Sequence, residues 1–330
     1  MTDAADDTPV YLPARTIPPP LSVSPQARAA LARGAVRERT PNPPIDDIDA
    51  WHAHVASFNE LMLPFVDQIM GSPLFHVETR QIGTTNVYVI RHADVPPSDH
   101  GKINLHLHGG GWAYAGGRCT ALPAAISALH YGGTVYAPDY RTTPDHPFPA
   151  ALDDCLATYR ALLKEHDPAS ILVTGDSAGA NLASAMLLRA RDEGLPPPCA
   201  LFLNTPAVDL TLASDSWAVN DGVDVVLRGL GDETALYCRN ADPRDPHVSP
   251  LFGDLSRGFP PTYIRTGTRD LLLSDSVRMH AALRKAGVEA DLYVGEAMPH
   301  GGFAMLGADA PEDVDARADM IRWLARHWKG

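Results

Sequence analysis

From residue 75 onward the chain alternates short apolar runs with longer stretches in which apolar residues recur every three or four positions. The short runs predict strands at 75–82, 86–92, 103–107, 133–137, 170–174, 199–204, 262–267 and 290–295. The first two are separated by Gly-Thr-Thr and should pair antiparallel. The later runs are continuously apolar, as strands buried on both faces of a parallel sheet are. Helical spacing falls between or after them, at 120–131, 148–166, 178–193, 274–286 and 311–328. The expected fold is α/β: a mostly parallel eight-stranded sheet with helices on both faces. Ahead of it, residues 1–45 are rich in proline, including Pro18-Pro19-Pro20, which opposes long regular helix. Helices are predicted at 24–36 and 46–70, the second from the spacing of Trp51, Val55, Phe58, Leu61 and Phe65.

One connection breaks the rhythm. The strand ending at 204 and the strand beginning at 262 are joined by far more than the roughly 2–6 residues usual in compact α/β units. Residues 207–250 therefore read as an insertion with structure of its own. Together with residues 1–74 it is expected to form a helical cap over the carboxyl ends of the strands, where open α/β sheets bind ligands. The two parts of the core are then 75–206 and 251–330, with residues such as Phe58, Met62 and Trp217 as candidates to face a substrate.

Charge narrows the partners. The formal net charge is −13, which disfavours nucleic acid. No apolar run approaches the ~20 residues needed to span a bilayer. The opening Met-Thr-Asp-Ala-Ala-Asp-Asp lacks the basic and apolar regions of a signal peptide. Cys119, Cys155, Cys199 and Cys238 are widely spaced and form no C-x-x-C pair. A cytoplasmic protein with free thiols, and with neither a zinc site nor a disulfide framework, is the expectation.

The chemistry lies at strand ends. Gly175-Asp176-Ser177-Ala178-Gly179 follows the run Ile171–Thr174 and precedes a helix. A serine in such a turn projects its hydroxyl away from the sheet. A serine hydroxyl is a weak nucleophile and needs a base, which in turn needs an orienting carboxylate. In α/β-hydrolase sheets these follow in the order serine, acid, histidine. Beyond residue 270 the histidines are His280, His300 and His327. His280 and His327 fall inside predicted helices. His300 lies in the loop after the last strand and is the candidate base. Asp270, at the end of the 262–267 strand, is the candidate acid; Asp275 is the runner-up, with a rival reading as a first-turn helix residue. His108-Gly109-Gly110-Gly111 follows the 103–107 strand. Its glycines let backbone N–H groups approach a developing oxyanion. Gly110 and Gly111, with Ala178 after the serine, are the candidate donors, and Gly109 is a further one. His108 is expected to shape that loop. His106 and His108 also form an H-x-H pair that can bind metal, a weaker reading because the glycine run continues directly from it.

These motifs, with Tyr140-Arg141-Thr142-Thr143-Pro144 and the Asp153-Asp154 pair that follows, resemble the bacterial hormone-sensitive-lipase-like esterases over about residues 75–305. The pentapeptide is similar to that of the subgroup named for Gly-Asp-Ser-Ala-Gly. The resemblance implies hydrolysis of carboxylic esters through an acyl-enzyme, no cofactor, and a cap that shapes the acyl pocket; short-chain esters are expected over lipids because nothing in the sequence marks a secretion signal or an apolar surface for an oil interface. The chain departs from the family's pattern at Ala180, Leu271 and Gly302, which puts local backbone shape in question. Amide, lactone or carbamate cleavage would use the same three residues. A silent ligand-binding protein is a further alternative: the plant gibberellin receptors resemble this family and lack the histidine, whereas His300 is present here. A small-molecule ester is the expected partner, and a homodimer is left open.

Overall fold

The structure is a computed structural model and describes residues 9–36 and 40–329. The continuously apolar runs become strands because both faces of the sheet are covered. Alternation along each strand decides which cover a side chain meets. Ile171 and Val173 of β5 (Ile171–Asp176), with Leu201 and Leu203 of β6 (Ala200–Asn204), pack beneath α4 (Ala150–Glu165), α5 (Ala178–Asp192) and α8 (Leu273–Lys285). Leu172, Ala200 and Phe202 point the other way, with Tyr263 of β7 (Thr262–Gly267), onto Met320, Trp323 and Leu324 of α9 (Pro311–His327). On that second side α3 (Ala121–Tyr131) lays four alanines on the sheet, and its Tyr131 meets Phe202 edge-on. Small alanines let this helix approach closely.

The sheet has eight strands in the order β1-β2-β4-β3-β5-β6-β7-β8. β1 (Phe75–Ile82), β2 (Thr85–His92) and β4 (Thr134–Pro138) pair antiparallel, and every pairing from β4 through β3 (Ile103–Leu107) to β8 (Ala290–Gly295) is parallel. All eight predicted strands form, within a residue or two at their ends. The first turn is tighter than Gly-Thr-Thr implies. Ile82 pairs Thr85 across Gly83, whose φ is +60°, so Thr85 joins β2. The chain leaves β3 toward β4 and returns to β5 on its other side. This is the reversal of strand order at which α/β sheets open a crevice.

Both N-terminal helices form. Ser24 caps α1 (Pro25–Ala35) by accepting from Ala27 N–H, with Pro25 at the first position. Ala27, Ala30 and Leu31 then pack against Phe303 and Val225. Helix α2 (Ile48–Met70) is capped by Asp47. Its apolar stripe is only partly used. Trp51 and Val66 are buried, but Leu61 is 70% and Phe65 58% exposed. The connection from β6 to β7 carries two short helices, α6 (Ser216–Val219) and α7 (Gly231–Cys238), neither delimited by the sequence pattern. Among the described residues, no helix is long and apolar enough to cross a membrane.

Candidate active site

At the end of β5 the backbone turns so sharply that Ser177 takes φ +53°, ψ −114°. A non-glycine residue held there costs on the order of 1–3 kcal/mol, so the surroundings must enforce it. They do so through contacts that admit no side chain. A Cβ on Gly179 would lie 2.0 Å from the Leu107 carbonyl oxygen and 2.4 Å from that of His108. A Cβ on Gly175 would lie 2.4 Å from the Gly179 oxygen. The outer glycines of G-x-S-x-G are thus fixed by the approach of α5 to β3 and to its own entry strand. Ser177 N–H donates to the Asn204 carbonyl at 2.9 Å, tying the turn to β6.

Register brings the glycine loop alongside. Leu107 pairs Gly175 in the β3–β5 ladder, so residues 108–111 run beside residues 176–177. Gly109 is packed against the Asp176 carbonyl and Ser177 Cβ. Among the described residues, the N–H groups of Gly110, Gly111 and Ala178 donate to no protein acceptor. His108 holds the loop. Its Nδ1 donates to the Gly109 carbonyl at 2.7 Å, and its ring stacks on Tyr140 at 4.1 Å. Tyr140 Oη donates to the His108 carbonyl at 2.7 Å. Burial pushes the His108 pKa down to about 4, so the ring stays neutral. The Tyr-Arg-Thr-Thr-Pro motif supports the same loop. Thr143 N–H donates to the Trp112 carbonyl at 2.9 Å, and Arg141 is anchored by a forked pair with Asp154. His106 instead meets Thr174 Oγ1 through Nδ1 at 2.9 Å. The two histidines of H-x-H are therefore held by different partners.

The candidate acid and base meet at the far end of the sheet. His300 Nδ1 lies 2.9 Å from Asp270 Oδ1. Asp270 is fully buried and also accepts from Thr266 Oγ1 at 2.6 Å and Leu272 N–H at 2.9 Å. Burial by itself lowers the affinity of His300 for a proton. The carboxylates of Asp270, Asp224 and Asp176 outweigh it, and the pKa ends above the ordinary 6.5. The other histidines lie elsewhere. His280, on α8, bonds the Ala290 carbonyl, and His327, on α9, faces Glu289. Asp275 sits in the first turn of α8 and accepts from Val208 and Asp209 N–H and from Ser214 Oγ. Burial raises its pKa to about 6. It anchors the start of the insertion.

Sequence reasoning misses what the insertion contributes. Ser216 Oγ donates to the Leu271 carbonyl and Asn220 Nδ2 to that of Asp270. Fully buried Asp224 accepts from Leu271 N–H at 2.9 Å and faces His300 N–H at 3.3 Å. Nothing in the sequence marks these residues, because the partners that tie them to the site are roughly fifty residues or more away. Asp224, Asp270 and His300 are the one group among the described residues whose donor atoms lie close enough to share a cation, within 4.8 Å of one another. Both oxygens of each carboxylate already accept protein donors, which a cation would have to displace. At the other end of the site, Glu233 of α7 packs on Gly111 and accepts from Tyr114 Oη and Asn42 Nδ2. Phe58 of α2 leans on the Tyr114 ring at 4.8 Å. Gly302, one of the departures noted above, has φ +93°. A Cβ there would strike the Arg265–Asp313 ion pair.

A strained serine at the strand-to-helix turn, a glycine loop beside it and a histidine–aspartate pair after the last strands define the α/β-hydrolase class. Residues 104–304 match the alpha/beta hydrolase fold family, and the chain belongs to it. It is 35% identical over 230 residues to an esterase of Acinetobacter venetianus, covering 67% of this chain and 74% of that protein. It is 33% identical over 257 residues to carboxylesterase NlhH of Mycobacterium tuberculosis, covering 73% and 80%. One esterase crystal structure superposes with a TM-score of 0.84 at 35% identity, over 97% of this chain and 99% of that one. Another, of an esterase from the bacterial hormone-sensitive lipase family, gives 0.76 at 29% identity over 92% and 99%. The resemblance read from the motifs agrees with these relatives.

Proposed function

We propose that this protein is a serine carboxylesterase in which Ser177 is the nucleophile, His300 its base and Asp270 the carboxylate that orients the base. The observation that carries the reading is the 2.9 Å contact from His300 Nδ1 to Asp270 Oδ1. That bond places the ring's proton on Nδ1 and leaves Nε2 free to take the proton of Ser177 Oγ. The alkoxide attacks the ester carbonyl, and the N–H groups of Gly110, Gly111 and Ala178 receive the oxyanion. The imidazolium, stabilised by Asp270, then protonates the departing alcohol. Water attacks the acyl-enzyme with His300 again as base. No further reactant is needed. Initial rates on nitrophenyl esters of increasing acyl length, beside an amide and a lactone, test the reaction class. Faster turnover of the amide or lactone would move the assignment to that chemistry.

His300 must be neutral to act. Its folded pKa lies above 6.5, so kcat/KM is expected to fall as pH drops through a midpoint above about 6.5. His300→Ala is expected to remove the activity, while His280→Ala and His327→Ala leave it within roughly a few-fold of wild type. If His280→Ala inactivates a folded protein as fully as His300→Ala, the assignment of the base is wrong.

The N-terminal segment and the 207–250 insertion act as a cap in this reading. What supports it is their convergence beside the glycine loop: Phe58 and Glu233 meet Tyr114, and Asn59 Oδ1 accepts from Ala115 N–H. Deleting residues before 46 would strip α1 from Phe303 and Val225, so a point change is the better test. Phe58→Ala is expected to shift the ratio of long- to short-acyl kcat/KM by about tenfold, as one to three kcal/mol of lost apolar contact would. An unchanged acyl-length profile would remove α2 from substrate selection. A cytoplasmic site of action fits the four free cysteines.

A further inference from the structure

The insertion places a second buried carboxylate against the base. Asp224 is fully buried, and each of its oxygens is used. Oδ1 accepts from Val226 N–H at 2.8 Å and Leu227 N–H at 3.1 Å. Oδ2 accepts from Leu271 N–H at 2.9 Å, and His300 N–H lies 3.3 Å from it. Four backbone N–H groups from three separate segments thus converge on one side chain. Leu271 follows the candidate acid directly, and the His300 amide belongs to the candidate base itself. Among the described residues, no lysine or arginine pairs with Asp224. Arg33 and Arg269 on the same side bond the carbonyls of Leu306 and Pro18. Among the described residues, α1 meets the Asp224 loop through an apolar contact, Gly34 against Val225.

We propose that Asp224 is a positioning residue through which the insertion governs the base: its carboxylate clamps the two loops bearing Asp270 and His300 and adds a second negative charge beside the imidazole. The inference rests on the serine-hydrolase reading above. An aspartate is required, because a clamp alone needs acceptor oxygens while the second effect needs charge. N–H donors favour the ionised form of a buried carboxyl. Burial opposes this and lifts the Asp224 pKa above the ordinary range, with Asp270 adding to the lift and His300 and the N–H groups acting against it. The charged groups facing the His300 ring are Asp270 from the β7–α8 loop, Asp224 from the insertion and Asp176 from β5. An anion at 224 favours the imidazolium. Removing it lowers the pKa of the ring, so the base stays neutral to lower pH. It also weakens support for the imidazolium that forms as Ser177 attacks.

Asp224→Asn, nearly isosteric, is the test in the full-length protein, with two readouts. The first is the midpoint of the acid limb of kcat/KM on nitrophenyl acetate. The second is titration of the His300 ring by NMR, its signals identified by their loss in His300→Gln. Both midpoints are expected to fall by about one pH unit, a tenfold loss of proton affinity, with kcat down about tenfold and KM within about twofold. A merely structural Asp224 would give a lower Tm with both midpoints unchanged, and that result in a folded variant overturns the proposal. Should Asp224→Asn not fold, Asp224→Ser keeps a short acceptor and is read the same way. The NMR titration does not need activity. If the wild-type protein shows no Ser177-dependent ester hydrolysis, the functional reading fails while the ring titration still decides the role of Asp224.

Discussion

Replacing Ser177 with alanine is expected to stop ester hydrolysis in a protein that stays folded. By analogy with other serine hydrolases, the loss in kcat is on the order of 10⁶, because the remaining groups have no nucleophile to activate. The fold should tolerate the change for reasons visible at the turn. Among the described residues, Ser177 Oγ makes no hydrogen bond, so its removal orphans no partner. The strain at φ +53° is that of any residue with a Cβ, and alanine bears it as serine does. Initial rates and circular dichroism measured together check both halves. A folded Ser177→Ala protein that keeps more than a trace of activity would remove Ser177 from the nucleophile role.

The second large effect comes from a residue that touches no substrate. Gly179→Ala would put a methyl group 2.0 Å from the Leu107 carbonyl oxygen, inside any real contact distance. Neither side can yield cheaply. Leu107 is locked in the β3–β5 ladder, and α5 is buried along most of its length. The helix must move outward, taking Ser177 with it and loosening the packing of Gly109. Overpacking of this kind typically costs about 1–3 kcal/mol, and a displacement of about 1 Å at the reacting atoms is enough for a roughly 100-fold loss of rate. Gly179→Ala is therefore expected to lower both Tm and kcat. Gly101→Ala, at a glycine with open space around its Cβ position, should change neither. A Gly179→Ala enzyme with wild-type Tm and kcat would show that the turn does not depend on that close approach.

The sheet was legible because its strands are buried on both faces, so burial itself writes the pattern: Leu172 and Val173 are both apolar although they point in opposite directions. The elbow was legible because its glycines answer a steric demand made within a few residues. Asp270 and His300 could be singled out because each follows a strand end, and the structure brings them within 2.9 Å. The outer face of α2 was not legible. Helical spacing was right, but spacing carries no information about what lies opposite, and Leu61 and Phe65 face solvent. Asp224 was illegible for a related reason. In Asn220-Asp221-Gly222-Val223-Asp224 it reads as one more polar turn residue. Its partners, Leu271 and His300, are 47 and 76 residues distant.

The order in which the pieces occur along the chain has a consequence for biosynthesis. The glycine loop and the elbow adjoin through the β3–β5 ladder, and the elbow's tie to β6 needs Asn204 as well. The candidate base, His300, arrives on the loop after β8, and α9 must follow to cover Tyr263 and Phe202. Domains generally fold as units, amino-terminal ones first during synthesis. On the proposed reading, a nascent chain that has not reached residue 300 has no group to deprotonate Ser177. On that reading hydrolytic competence waits on residue 300, and a chain cut short before it is expected to be inert.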